Sequence, residues 1–302
     1  MTAKRPKPSF VDSERWLGRL FLAPAVTYIF ALVGLPFALA VFYSFTNVSI
    51  SGSRSDFVGL ANFRAAVADP AFRRALGNTF LFAVVSQGLV IVLASVLAIA
   101  LQKEFRGRWF VRLLVLLPWV APVSIGSISW LWIFDSIYSV INWTLRAIGV
   151  FRHGTWPIWL GQPGLASAAI IGVQVWRTLP LATVILLGGL SSIPDDIHDA
   201  AQIDGAGFFR ELFQITLPLV LPIQLVALLF GFVFACTDMI VVYVLTRGGP
   251  YDTTQVLASL AFFKGIDGGD LAGGAATTLF LLPVLAAAAI VILRLARRSE
   301  VV

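Results

Sequence analysis

The sequence predicts an all-α integral membrane protein with six transmembrane helices and both termini in the cytoplasm. Three observations carry that prediction. Of 302 residues, 58% are apolar and only 13% charged, against roughly 25% charged in a soluble domain. Mean hydropathy is +0.88. Six windows are long enough to cross a hydrocarbon core, which takes about 20 residues of helix. So few charges could not cover a soluble surface, which excludes a soluble enzyme, a disordered chain and a nucleic-acid module. The net charge of +6 is read as a record of topology, and no nucleic-acid partner is expected.

The windows run at 17–45, 75–101, 110–134, 165–189, 219–246 and 271–294. The chain divides into a cytoplasmic tail over 1–16, a transmembrane domain over 17–296 and a short cytoplasmic tail over 297–302. The first window follows Lys4, Arg5, Lys7, Arg15 and Arg19, which resembles a signal peptide at first sight. Its apolar run is about twice a usual signal core and no small-residue cleavage site ends it, so it is expected to be retained. With the N-terminus inside, thirteen basic residues fall on inner segments and eight on outer ones. That bias supports the inward orientation of both ends. Trp130, Trp132, Trp143, Trp156 and Trp159 gather at the expected outer interface. Between the third and fourth windows, Ile137, Ile141, Leu145 and Ile148 recur at helical spacing and predict a short interfacial helix ended by Gly149.

One loop opposes the charge rule. Between Ser191 and Thr216, on the expected inner side, stand Asp195, Asp196, Asp199, Asp204 and Glu211 against Arg210. The pattern predicts two short helices. Pro194 suits a first helical position, Asp195 and Asp196 favour a helix N-terminus, and Asp204-Gly205 marks a turn. Phe208, Phe209, Leu212 and Phe213 then form an apolar stripe, and Pro218 and Pro222 follow. A structured anionic loop with exposed aromatics fits a docking surface for a cytosolic protein; packing on its own bundle is the plainer alternative.

The run from Asp199-Ala200-Ala201 through Asp204-Gly205-Ala206 and Phe213 to Ile215-Thr216-Leu217-Pro218 resembles the EAA loop of ABC-importer permeases. Asp199 stands where Glu is usual, keeping the charge with one methylene less reach. Phe57-Val-Gly-Leu-Ala-Asn62-Phe63, Asn78-Thr79, Leu117-Pro118, Ile193-Pro194 and Leu245-Thr246-Arg-Gly248-Gly249-Pro250 with Thr253-Thr254 extend the resemblance to MalF-like carbohydrate-uptake permeases over nearly the whole chain. The resemblance implies a type I ABC importer permease fold in a bacterial cytoplasmic membrane. It also implies a coupling loop over 190–216, whose Asp199, Ala200, Ala201, Asp204, Gly205, Ala206, Phe209 and Phe213 seat on an ATPase. The implied partners are a second homologous permease, two ATPase subunits, an extracytoplasmic binding protein and a sugar. Residues 248–265 are implied as the binding-protein contact.

Arg177 and Asp238 are the ionisable residues deepest in the windows. A charge at mid-bilayer costs about 2.5–3.5 kcal/mol on insertion scales, so such residues face a partner or a cavity. They could pair with each other or line a substrate path, and a pair could do both. By the resemblance, span-four contacts fall on Gln174, Arg177, Thr178 and Leu181, and span-five contacts on Gly231, Phe234 and Asp238. Those of span three fall on Val123 and Ser127, with Ser124 nearby. Each of the first two sets also shares one helical face. Phe234 suits stacking on a sugar ring, and Arg177 leaves an anionic sugar derivative open as substrate.

The expected activity is that of a permease subunit rather than an enzyme. No G-x-x-x-x-G-K-[ST] loop is present, so ATP and Mg²⁺ belong to a partner ATPase and no cofactor is expected on this chain. Cys236 is the lone cysteine and, with two histidines, argues against a metal site. A stand-alone carrier driven by an ion gradient is the alternative that two membrane charges would fit. It would leave the acidic loop without a purpose.

Overall fold

A computed structural model describes residues 14–52, 55–151 and 156–299. The basic tail before Glu14, Arg54, Arg152, His153 and the last three residues lie outside the described residues, so expectations placed on them stand untested. The first span comprises α1 (Glu14–Ile29), a π-helical turn (Phe30–Gly34) and α2 (Leu35–Ser44). After a short α3 (Ala61–Ala68), α4 (Pro70–Gln102) begins on an Asp69 cap whose carboxylate accepts from the Ala71 N–H at 2.8 Å. Five helical stretches among the described residues are long and apolar enough to cross a bilayer, and a bent pair supplies the sixth.

That pair is a correction to the window at 110–134. The chain forms α5 (Arg108–Val120) and α6 (Val123–Ile133), which meet at 96°. Pro122 lacks an N–H and disfavours helix at the residue before it; Ala121 is accordingly extended, with ψ 135. The interfacial helix forms as α7 (Val140–Ala147), with Ser139 Oγ accepting the Asn142 N–H at 3.2 Å and Gly149 at φ +80. Only Ile141 of its apolar positions packs onto the core; Ile137 and Ile148 stay exposed. Trp130 and Trp159 also pack against that core rather than standing free at an interface.

The centre of the molecule is α4 laid along α8 (Pro163–Leu190). Ala94, Ala98 and Ala182 lie buried there with Val90, Leu186 and Val220, and small side chains let membrane helices approach closely. Helix α9 (Asp195–Ile203) follows as the first half of the acidic loop. Pro194 is its N-cap, with ψ 142, rather than its first helical residue.

The predicted second loop helix is instead the foot of span five. Helix α10 (Phe208–Glu211), a π turn (Leu212–Thr216) and α11 (Leu217–Thr237) run as one 30-residue stretch. At its far end the window at 219–246 is also corrected, because the helix stops at Thr237. Asp238 is extended, with ψ 122, and its Oδ1 accepts the Ile240 N–H at 2.8 Å to start α12 (Ile240–Leu245). Helix α13 (Leu257–Phe262) leads to the last span, α14 (Leu271–Leu279) and α15 (Leu281–Ser299). The outer core joins Phe82, Ile170 and Val173 to Val241, Val242 and Leu245.

Candidate coupling surface and membrane pathway

The acidic loop is built by capping. Asp204 ends α9, the Gly205 N–H donates to the Gln202 carbonyl at 3.0 Å, and the Ala206 N–H reaches the Ala201 carbonyl at 2.9 Å. These two bonds are the Schellman closure, which needs a left-handed residue after the cap. Gly205 supplies it, with φ +72. The Asp-Gly-Ala run is thus the stop signal that turns the chain into span five. Ala201 is the buried residue of α9, whereas Asp195, Asp196, Asp199 and Ala200 are exposed, Asp195 and Asp199 along a cleft they share with His198, Phe208 and Glu211. Ile203 is 86% exposed, and Phe208, Phe209 and Phe213 each keep more than half their surface free. Carboxylates and aromatics are thus exposed together at this end of the bundle.

Lys103, at the end of α4, places its ammonium 5.9 Å from the Phe208 ring centroid. Gln102 Nε2 donates to the Leu190 carbonyl at 3.5 Å. The ends of spans two and four therefore lie at this same end of the bundle.

Within the bundle, the Arg177 guanidinium is paired with the Asp238 carboxylate. Their side chains are 20% and 5% exposed. Asp238 serves three structural ends at once: its backbone closes α11, one carboxylate oxygen accepts the first N–H of α12, and the other takes Arg177. The fourteen residues of α8 that precede Arg177 put this pair in the middle of span four rather than at its rim.

The structure sorts the remaining sequence-derived candidates by burial. Gln174 is buried and its Nε2 donates to the Ala235 carbonyl at 3.4 Å; the Thr178 hydroxyl donates to the Gln174 carbonyl at 2.8 Å. Ser127 is 2% exposed. Gly231 is buried against span two, where a Cβ would lie 1.9 Å from Gln87 Oε1. These four present their polar atoms or backbone to the chain's own interior. Val123 and Leu181 are half-buried, and Phe234 is 39% exposed with its ring 5.8 Å from that of Trp119. The open surface of this set is therefore Phe234 with the partly exposed Arg177, Val123 and Leu181.

Sequence reasoning missed Trp119 and Gln87. Trp119 lies one residue from the quoted Leu117-Pro118 pair. Gln87 had a legible signal, being an amide near the middle of its window.

At the opposite end from α9, the loop after α12 is held rigidly. Arg247, Tyr251 and Asp252 adopt positive φ. The Thr246 and Thr254 hydroxyls lie 2.8 Å apart, and Asn78 Nδ2 donates to the Thr253 and Gln255 carbonyls, each at 2.9 Å. Tyr251 projects from this loop with 86% of its surface free.

A multi-span bundle with an acidic, capped helix at one end and a paired charge in its middle is the class of membrane transport subunit that its family match describes. The chain belongs to the family described as the binding-protein-dependent transport system inner membrane component, which residues 90–301 match. It is 32% identical to the sulfoquinovosyl glycerol transport system permease protein SmoG of Agrobacterium fabrum, over 95% of this chain and 92% of that protein. It is 33% identical to the trehalose/maltose transport system permease protein MalF of Thermococcus litoralis, over 94% and 95%. A crystal structure of a bacterial ABC transporter importing the acidic polysaccharide alginate contains a chain of the same fold. The TM-score is 0.82 at 21% identity, covering 97% of this chain and 99% of that one.

Proposed function

We propose that this chain is one half of the membrane pathway of an ATP-driven importer for a sugar or sugar derivative, in a bacterial cytoplasmic membrane with both termini inside. The observation that carries this reading is the Schellman-capped α9, whose exposed Asp199 and neighbouring aromatics sit at the foot of span five. An acidic helix held out from the membrane by its own capping bonds fits a socket on a separate ATPase. Two such ATPases, a second homologous permease and an external binding protein complete the assembly. The names of the relatives, which include a glycerol-phosphate permease of Yersinia pestis, support a carbohydrate-related substrate. They also favour this reading over an ion-driven carrier acting alone.

In this reading ATP and Mg²⁺ are bound and consumed by the partner ATPase. Closure of the ATPase dimer draws the α9 helices of the two permeases together. The cavity between the permeases then opens outward and takes substrate from the binding protein, and hydrolysis resets it. Phe234, with Arg177 behind it, is the part of spans four and five that substrate meets, and Tyr251 with residues 248–265 receives the binding protein.

Reconstitution tests the proposal. Liposomes holding this chain, its partner permease and the ATPase, with binding protein outside, are expected to accumulate sugar only when ATP is inside. Uptake by the purified chain alone would overturn it.

A further inference from the structure

The geometry points to His198 and Glu211 as positioning residues that strap α9 to the foot of span five, so that the two move as one body. This inference rests on the coupling role proposed above and names how the motion is passed on.

The chain between the two helices is a weak joint. It contains Gly205 and Gly207 within residues 204–207, and glycine resists bending less than any other residue. A push on α9 would be lost there unless something bridges it. The His198 ring Nδ1–H donates to Glu211 Oε1 at 2.6 Å, across thirteen residues of sequence. The two side chains are only 23% and 22% exposed. They sit in a cleft of about 580 Å³ lined also by Asp195, Asp199 and Gln202 from α9, Gln102 and Lys103 from span two, and Thr216 from span five.

Asp195 and Asp199 line this same cleft and stay exposed, while the strap itself is made by His198 and Glu211, so docking and bracing use different side chains. The Lys103 contact with Phe208 is a second tie across the cleft. It links span two to span five and does not touch α9, so the His198–Glu211 bond is the side-chain bridge across the joint itself. A hydrogen bond to a carboxylate, partly shielded from water, shifts a local opening equilibrium by roughly ten-fold or more.

The test uses the complete transport complex in nanodiscs, read by hydrogen exchange and by ATP hydrolysis with and without binding protein. His198→Ala and Glu211→Ala are expected to speed amide exchange over 195–203 by about ten-fold while leaving 163–190 unchanged. Both should lower binding-protein stimulation of ATPase several-fold with the ATPase subunits still co-purifying. Glu211→Gln, which keeps an acceptor oxygen, should restore most of both signals, and the double alanine variant should be no worse than either single one.

Wild-type exchange in both single variants, additive effects in the double, or loss of the ATPase from the complex would overturn the strap. If the wild-type complex showed no stimulated hydrolysis while the exchange contrast persisted, the strap would stand and the coupling reading would fall.

Discussion

Asp238→Ala is the perturbation with the largest expected cost. The carboxylate makes two bonds that alanine cannot, one to the Arg177 guanidinium and one to the Ile240 N–H. Removing one member of a buried ion pair strands the other and costs about 3–5 kcal/mol. Loss of the hydrogen bond to the Ile240 N–H adds about 1 kcal/mol. The sum is about 4–6 kcal/mol, and at about 2–4 °C per kcal/mol for a chain of this size even the low end lowers the melting temperature by roughly 8 °C. Asn at the same position keeps an acceptor for the Ile240 N–H and loses the charge, so it should fall between. Arg177→Ala with Asp238→Ala removes the stranded charge and should recover more than half of the loss. The assay is thermal unfolding of the purified complex in detergent, followed by size-exclusion chromatography with fluorescence detection. A single Asp238→Ala variant melting within about 2 °C of the parent, or a double variant no more stable than the single one, would refute the reasoning. Uptake measured on the same double variant separates the roles: restored stability without restored uptake means that the pair also serves the substrate.

Gly205→Ala forces a side chain into φ +72 at about 1 kcal/mol, and should loosen the Schellman turn. Faster exchange of the Ala206 amide with the spans unaffected would register it. Gly231→Ala drives a methyl onto Gln87 Oε1, an overpacking of about 1–3 kcal/mol. Thermal unfolding should show the loss, and Gln87→Ala in the same chain should relieve it. Asn78→Ala removes both bonds that hold the 253–255 backbone, about 2 kcal/mol at about 1 kcal/mol each; faster limited proteolysis after Arg247 is the readout. Tyr251→Ala removes only exposed surface, so it should leave melting unchanged while weakening binding-protein association measured by light interferometry.

What was legible in the sequence follows from how each signal is encoded. Spans read well because hydropathy sums over about 20 neighbouring residues, and α4 and α8 fall within a few residues of their windows. The same summation hides a bend, since Ala121 and Pro122 barely move an average. Proline chemistry at that point held the information that the window discarded. The early stop of span five was likewise visible only as a lone Asp238, read as a charge in a helix when it was also the reason the helix ends. Asp204-Gly205 gave its turn plainly, because a local backbone requirement is written in consecutive residues. Arg177 with Asp238, and Gln87 with Gly231, are partnerships across spans. No periodicity within one helix can choose between such partners, so the first was left open and the second went unseen.

The unbroken stretch from Phe208 to Thr237 has 30 residues, which at 1.5 Å per residue is about 45 Å. A hydrocarbon core is about 30 Å thick, so about 15 Å of this rod stands clear of it. Its far end is pinned where Asp238 grips span four, and its near end carries the acidic helix. Such an arrangement is a lever with a fixed fulcrum. A tilt of about 10° at the pin swings Phe208 sideways by roughly 8 Å over a rod of that length. Read in the other direction, a displacement of several ångströms imposed at the α9 end arrives near Phe234 as about an ångström. The long rod thus gears a coarse stroke down to the fine rearrangement that opening a path for a small molecule requires.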